Sequence, residues 1–163
     1  MTKDVPFSWG EQQQKAFDAM KVAFSKAPGL KPFDRTLKTI METDASNQAI
    51  AGILSQYHTT TNGARILHPV DHHAKTLTNI ERNWPIHNKE LWAIISCFHR
   101  WYSWLVGVYI QVYTDHQGLQ YFNTKRRLNS RQASWYLKLS AFDFIISYHP
   151  GRTMGKPDTI IRR

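Results

Sequence analysis

Cysteine is almost absent from this chain. Cys97 is the only one among 163 residues, so no internal disulfide can form, and a reducing, intracellular setting is the expectation. Its neighbours Ile94, Ile95 and Phe98 predict an inert, buried thiol. Acidic residues are also scarce: 12 Asp and Glu stand against 21 Lys and Arg, a formal net charge of +9. That balance favours a polyanionic partner, through counterion release from a phosphate backbone. No apolar run approaches the roughly 20 residues that a membrane-spanning helix requires. The opening MTKDVPFSWG also lacks the apolar core of a secretory signal, so the expectation is a protein that is neither secreted nor membrane-bound. Repeats and low-complexity tracts are absent too. What is present, 42% apolar and 13% aromatic residues, is enough for one well-buried core.

The elements can be read from periodicity and punctuation. Residues 8–26 predict an amphipathic helix, with Trp9, Phe17, Met20 and Phe24 at helical spacing. Ser8 and Glu11 have capping-box spacing, and Pro28-Gly29 marks the stop. Three strands follow, at 36–44, 49–57 and 64–73, the last two joined as a hairpin through Thr59–Gly63. One long helix is expected over 78–105, with Leu91, Ile94, Ile95, Phe98, Tyr102 and Leu105 as its apolar stripe. Pro85 falls near its start and Gly107 just beyond its end. A strand at 108–115, a short helix near 116–122, a helix at 131–142 and a strand at 144–149 complete the order. This succession predicts an α/β (α+β mixed) fold, a mixed sheet with helices packed against it.

Two of the strands end in the same dipeptide, Thr43-Asp44 and Thr114-Asp115. If they are parallel neighbours, their ends set two carboxylates side by side at one sheet edge, where ligands of α/β sheets usually bind. Glu90 shares a helix face with Ile94 and Phe98, and a carboxylate there must be neutralised or paired. Asp158, in GKPDTII, is a fourth candidate. Taken singly, Asp44 or Asp115 reads first as a turn residue bonding local amides, and Glu90 can read as a helix-surface residue. Taken together, four acids would repel strongly: two charges ~4 Å apart cost about 4 kcal/mol at an effective dielectric near 20. Cations would relieve that cost, and carboxylate oxygens suit hard ions such as Mg²⁺. Two such ions can drive an in-line phosphoryl displacement without a nucleophilic side chain.

The basic run at Lys125, Arg126, Arg127 and Arg131 flanks the helix carrying Trp135 and Tyr136. It reads either as a nucleic-acid contact or as a solvated charge run. Trp92, Trp101, Trp104 and Trp135 are expected to fill core and subsurface gaps. His72 and His73, adjacent on a strand, point to opposite faces and have no partners at ligand spacing, so no zinc site is expected. His116, beside Asp115, is a candidate site-edge residue.

METDASNQAIAGILSQ, HPVDHHAKTLTNIERNWPIHNKELWAI, YTDHQGLQYF and LNSRQASWYLKLSAFDFIISYHPGRTMGKPD, in that order, resemble the ribonuclease H domain of gypsy-type long-terminal-repeat retrotransposon reverse transcriptases. The leading FSWGEQQQKAFDAMKVAFSKAPGL resembles the segment that connects the polymerase portion of those polyproteins to the domain. The resemblance implies a division into residues 1–34 (connecting segment) and 35–163 (ribonuclease H domain). It implies a ribonuclease H-like fold, a five-stranded mixed sheet whose first three strands are antiparallel. It also implies that Asp44, Glu90, Asp115 and Asp158 are catalytic ligands of two Mg²⁺ ions, with Mn²⁺ as a substitute. The implied activity is hydrolysis of the RNA strand of RNA–DNA hybrids during reverse transcription, leaving 5′-phosphate and 3′-hydroxyl ends. The implied partners are the hybrid and the polymerase portion, and the implied setting is a cytoplasmic virus-like particle or the nucleus.

Two stretches depart from the family wording. PDTIIRR (157–163) stands where Ala-Asp-Ala-Leu-Ser-Arg is usual, and PVDHH stands where a Tyr-Ser pair is commoner. The chain ends shortly after Asp158, which the resemblance reads as an excised or domesticated domain. The alternative to an active nuclease is a catalytically silent module that binds nucleic acid or serves structure.

Overall fold

From Thr39 onward the chain builds a meander of three strands. These are β1 (Thr39–Ala45), β2 (Ala49–Thr59) and β3 (Arg65–Thr76), each antiparallel to the next. The computed structural model describes residues 9–26, 29–119 and 130–150. The β2–β3 hairpin turns where Thr59–Gly63 was expected to turn. Thr60 N–H donates to the Ala64 carbonyl (2.8 Å), and Gly63 sits at φ +80°, a conformation that glycine adopts without penalty. Two further strands, β4 (Tyr109–Thr114) and β5 (Asp143–Tyr148), add in parallel, giving the order β3-β2-β1-β4-β5. The expected five-stranded mixed sheet is therefore observed.

Pro69 lies inside β3, which only an edge strand tolerates, because proline has no N–H for the ladder. β3 is at the sheet edge, and its register slips at this point: Leu54 faces Asp71 while Ser55 faces Pro69. Val70 is the extra residue of the bulge. The neighbouring Asp71 gives PVDHH a structural role, since it accepts the indole N–H of the buried Trp101 at 2.8 Å.

The single helix expected over 78–105 is three pieces: α2 (Asn79–Arg82), α3 (Ile86–Arg100) and α4 (Tyr102–Leu105). Pro85 is the reason for the first break. It lacks an N–H to continue the ladder and biases Trp84 away from helical angles, so α3 starts just after it, with Pro85 as N-cap. The preceding turn, α2, has its own capping box, Thr78 with Glu81. The second break falls at Trp101, and beyond it Tyr102 faces outward, 54% exposed, rather than joining the stripe. The other stripe residues are buried as expected, and Gly107 ends the run at φ +75°.

α3 lies across β1 and β2, and α5 (Ser130–Leu139) packs beside it. Met41, Leu54, Ile110, Phe98, Trp101 and Trp135 belong to the resulting core. Helix and sheet come closest where Cys97 meets Gly52: a β-carbon at position 52 would overlap the Cys97 sulfur. Burial pushes the Cys97 thiol well above its ordinary pKa, as an inert role requires. Trp104 departs from expectation: it stacks on Phe33 at 5.5 Å on the exposed side rather than filling the core.

The N-terminal helix α1 (Glu11–Lys26) begins later than expected. Gly10 rather than Ser8 opens it, with its N–H donating to Gln13 Oε1 at 3.0 Å and its carbonyl accepting from Gln14. Ser8, the Phe24 side chain and Pro28 lie outside the described residues. The expected helix near 116–122 appears as a single tight turn at 117–119, and its remainder lies outside the described residues.

Candidate metal centre

β1 and β4 are adjacent and parallel, so both point their carboxyl ends at one sheet edge. Asp44 is the penultimate residue of β1, and Asp115 directly follows β4. Glu90 comes from the second turn of α3, which packs onto β1. Each residue offers a carboxylate oxygen, and the three oxygens lie within 4.8 Å of one another. Burial is graded across the set: Glu90 is 2% exposed, Asp44 half-buried and Asp115 exposed. The cluster is thus closed at the helix and open on the Asp115 side.

Backbone and hydroxyl donors fix this geometry. The Ala45 N–H is shared, donating to Glu90 Oε1 (3.1 Å) and Asp44 Oδ1 (2.9 Å). The buried Thr114 hydroxyl donates to Glu90 Oε2 (3.5 Å) and accepts the N–H of His116 (3.3 Å). Thr43 also bridges the strands, its hydroxyl donating to the Tyr113 carbonyl (3.4 Å). Sequence reasoning assigned no role to the Ala45 amide or the Thr114 hydroxyl. The signal was available in the threonine that precedes aspartate in both dipeptides.

Burial pushes the Glu90 carboxyl up to about 9, and the charges of Asp115 and then Asp44 push the same way; the donors from Ala45 and Thr114 oppose the shift without reversing it. Glu90 forms no ion pair among the described residues. Among the described residues the site therefore combines an oxygen-only donor set with a buried Glu90 carboxyl that no cation pairs. Both features fit a hard divalent cation, which would restore Glu90 to its ionised form.

Asp158, Lys125, Arg126 and Arg127 lie outside the described residues. Arg131 stands at the start of α5 with its guanidinium 4.2 Å from the Trp84 ring centroid and 6.0 Å from that of Trp135. Gln132 beside it donates to the buried Asn88 Oδ1 (3.3 Å), tying α5 to the first turn of α3. His116 is half-buried, 6.2 Å from His87 between ring centroids, with Nδ1 enclosed and without a hydrogen-bond partner among the described residues. His72 and His73 do diverge: His72 is exposed, while His73 Nε2 meets Ser96 Oγ at 2.8 Å.

A family model described as an RNase H-like domain found in reverse transcriptase matches residues 34–142. The chain belongs to this family. The Tf2-3 and Tf2-4 transposon polyproteins of Schizosaccharomyces pombe are each 31% identical to it over 99% of its length. The chain spans only 12% of the length of those relatives. Among solved structures, LC11-RNase H1 in complex with an RNA/DNA hybrid aligns with a TM-score of 0.55 at 12% identity, covering 75% of this chain and 92% of that one. The foamy viral protease-reverse transcriptase in complex with an RNA/DNA hybrid aligns with a TM-score of 0.53 at 19% identity, covering 87% of this chain and 19% of that one. These likenesses show that the RNase H-like domain has the ribonuclease H fold.

Proposed function

We propose that this domain is an endonuclease that hydrolyses the RNA strand of RNA–DNA hybrids during reverse transcription, leaving 5′-phosphate and 3′-hydroxyl ends. The observation that carries this reading is the Asp44–Glu90–Asp115 cluster, which three separate elements assemble at one sheet edge of a reverse-transcriptase RNase H-like domain. Asp44, Glu90 and Asp115, with Asp158 as fourth ligand, would hold two Mg²⁺ ions, or Mn²⁺ as a substitute. Bound there, such ions supply Lewis-acid stabilisation of charge on the scissile phosphate and lower the pKa of the attacking water. The chain's own residues set up that chemistry. Ala45 and Thr114 aim both Glu90 oxygens, and the exposed Asp115 leaves the cluster open to a bulky polyanion. Lys125, Arg126, Arg127, Arg131 and His116 are assigned to nucleic-acid contact. The pinning of Arg131 on Trp84 supports a fixed rather than a freely solvated guanidinium.

Residues 1–34 are read as the connecting segment and 35–163 as the nuclease domain; the start of the family match at residue 34 supports that boundary. The polymerase portion of a shared polyprotein is the assigned protein partner, supported by the polyprotein relatives. The setting assigned is intracellular, a virus-like particle or the nucleus, and the one buried, unpaired Cys97 accords with it.

The test is incubation of the purified chain with labelled RNA–DNA hybrid and Mg²⁺ or Mn²⁺, beside Asp115→Asn. Metal-dependent cutting of the RNA strand alone, lost in the variant, is expected. Hybrid bound but uncut in either metal would replace this reading with the silent nucleic-acid-binding module.

A further inference from the structure

Lys89 directly precedes Glu90 on α3 and is only 4% exposed. Its ammonium meets a single polar partner among the described residues: Nζ donates to Asn47 Oδ1 at 3.3 Å. No carboxylate pairs with it among those residues. Lys75 and Arg100, by contrast, reach Glu81 (3.3 Å) and Asp71 (3.7 Å) although both are far more exposed. An ammonium carries three donors, and a buried cation held by one neutral amide is an expensive arrangement to keep. An anion that arrives from outside would complete it.

The position of Lys89 shows where that anion would come from. One residue along a helix is a rotation of about 100°, which turns Lys89 away from Glu90 toward the connection between β1 and β2. Asn47 is exposed in that connection, three residues beyond Asp44. Lys89 is therefore buried while its ammonium meets the side chain of an exposed residue. A ligand that touches Asn47 is within reach of the ammonium and lies alongside the carboxylate edge. A polyanion held across the same edge is what a chain of net charge +9 is built to attract.

We propose that Lys89 and Asn47 form a phosphate-binding point that grips one phosphodiester of the nucleic acid lying across the Asp44–Glu90–Asp115 edge. This inference rests on the nuclease reading for the class of its ligand. Unlike the carboxylates, Lys89 needs no divalent cation to hold a phosphate, so the contact operates in chelator.

The test is fluorescence anisotropy of a labelled RNA–DNA hybrid with the whole chain in EDTA, across a series of KCl concentrations. Each phosphate contact contributes about 0.9 to the slope of log affinity against log salt, so Lys89→Met should flatten that slope by about one. A charge-assisted contact of this kind should also weaken binding about tenfold at moderate salt. Asn47→Asp leaves the α3 packing intact and supplies the ammonium with an internal carboxylate, so it should reproduce the flattening without loss of thermal stability. Lys21→Met, on the exposed face of α1, removes the same charge and should leave the slope unchanged. If Lys89→Met and Asn47→Asp both bind with the wild-type slope, or if Lys21→Met flattens it equally, the proposal is overturned. Failure of the wild-type chain to bind the hybrid at all would instead strike at the nuclease reading.

Discussion

Removing the ionisable group at Glu90 tests the electrostatics of the carboxylate cluster without requiring catalysis. Folding raises the Glu90 carboxyl from 4.5 to about 9, so the folded chain holds that proton more tightly than the unfolded chain does. The stability it confers is complete below about pH 4.5 and is lost progressively as pH rises toward 9. Each pH unit in that window is worth about 1.4 kcal/mol, so the loss reaches roughly 3 kcal/mol by pH 7. Glu90→Gln keeps the shape and an oxygen to accept the Ala45 N–H, but cannot ionise. In EDTA, wild type should therefore fall behind the variant by about 1.4 kcal/mol per pH unit between pH 5 and 8. Urea unfolding followed by tryptophan fluorescence at each pH measures this difference directly. Subtracting the variant cancels titrations elsewhere in the chain. Excess Mg²⁺ should stabilise wild type more than the variant, because it binds the ionised form. A wild-type-minus-variant difference that stays flat from pH 5 to 8 would refute the account of Glu90 as a carboxyl held protonated by burial and by the charges of Asp115 and Asp44.

Two further predictions concern the scaffold that aims the site. Gly52→Ala drives a β-carbon into the Cys97 sulfur and should destabilise by about 1–3 kcal/mol in urea unfolding. Adding Cys97→Ala should recover most of that loss, and strict additivity of the two changes would rule out the clash. Asp71→Leu strips the buried Trp101 indole of its acceptor and should cost about 1–3 kcal/mol in the same assay. Arg100→Ala, which loses only a long ion pair to that aspartate, should cost less than 1 kcal/mol.

The candidate site was more legible in the sequence than the elements that hold it. The two Thr-Asp dipeptides identified a shared edge only on the condition that their strands be parallel neighbours. A strand's own pattern reports which face is buried and says nothing of its partner, and the pairing of Thr39 with Ile110 supplies that condition. Glu90 was legible because one charged residue on an otherwise apolar helix face must be accounted for. Helix continuity was not legible, because side-chain periodicity runs on through a break in the backbone ladder. Leu91, Ile94 and Phe98 keep their spacing whether or not Pro85 and Trp101 divide the segment. The donors to Glu90 were hidden for a different reason: a backbone N–H belongs to every residue but proline, so only the fold selects Ala45.

Lys89 sharpens this distinction between the two kinds of residue at the edge. By composition it is one more basic residue in a chain of net charge +9, and a lysine beside a buried glutamate on a helix reads as a solvated neighbour. What sets it apart is a mismatch between burial and partners, at 4% exposure with one neutral hydrogen-bond acceptor. Spacing cannot encode such a mismatch. Glu90 shows the same mismatch with the opposite sign, since it is buried close to Asp44 and Asp115 and forms no ion pair among the described residues. In the proposed reading, a metal-bound phosphodiester would supply both a cation to Glu90 and an anion to Lys89 at the same sheet edge. A ligand supplying only one of these charges would leave the other group uncompensated.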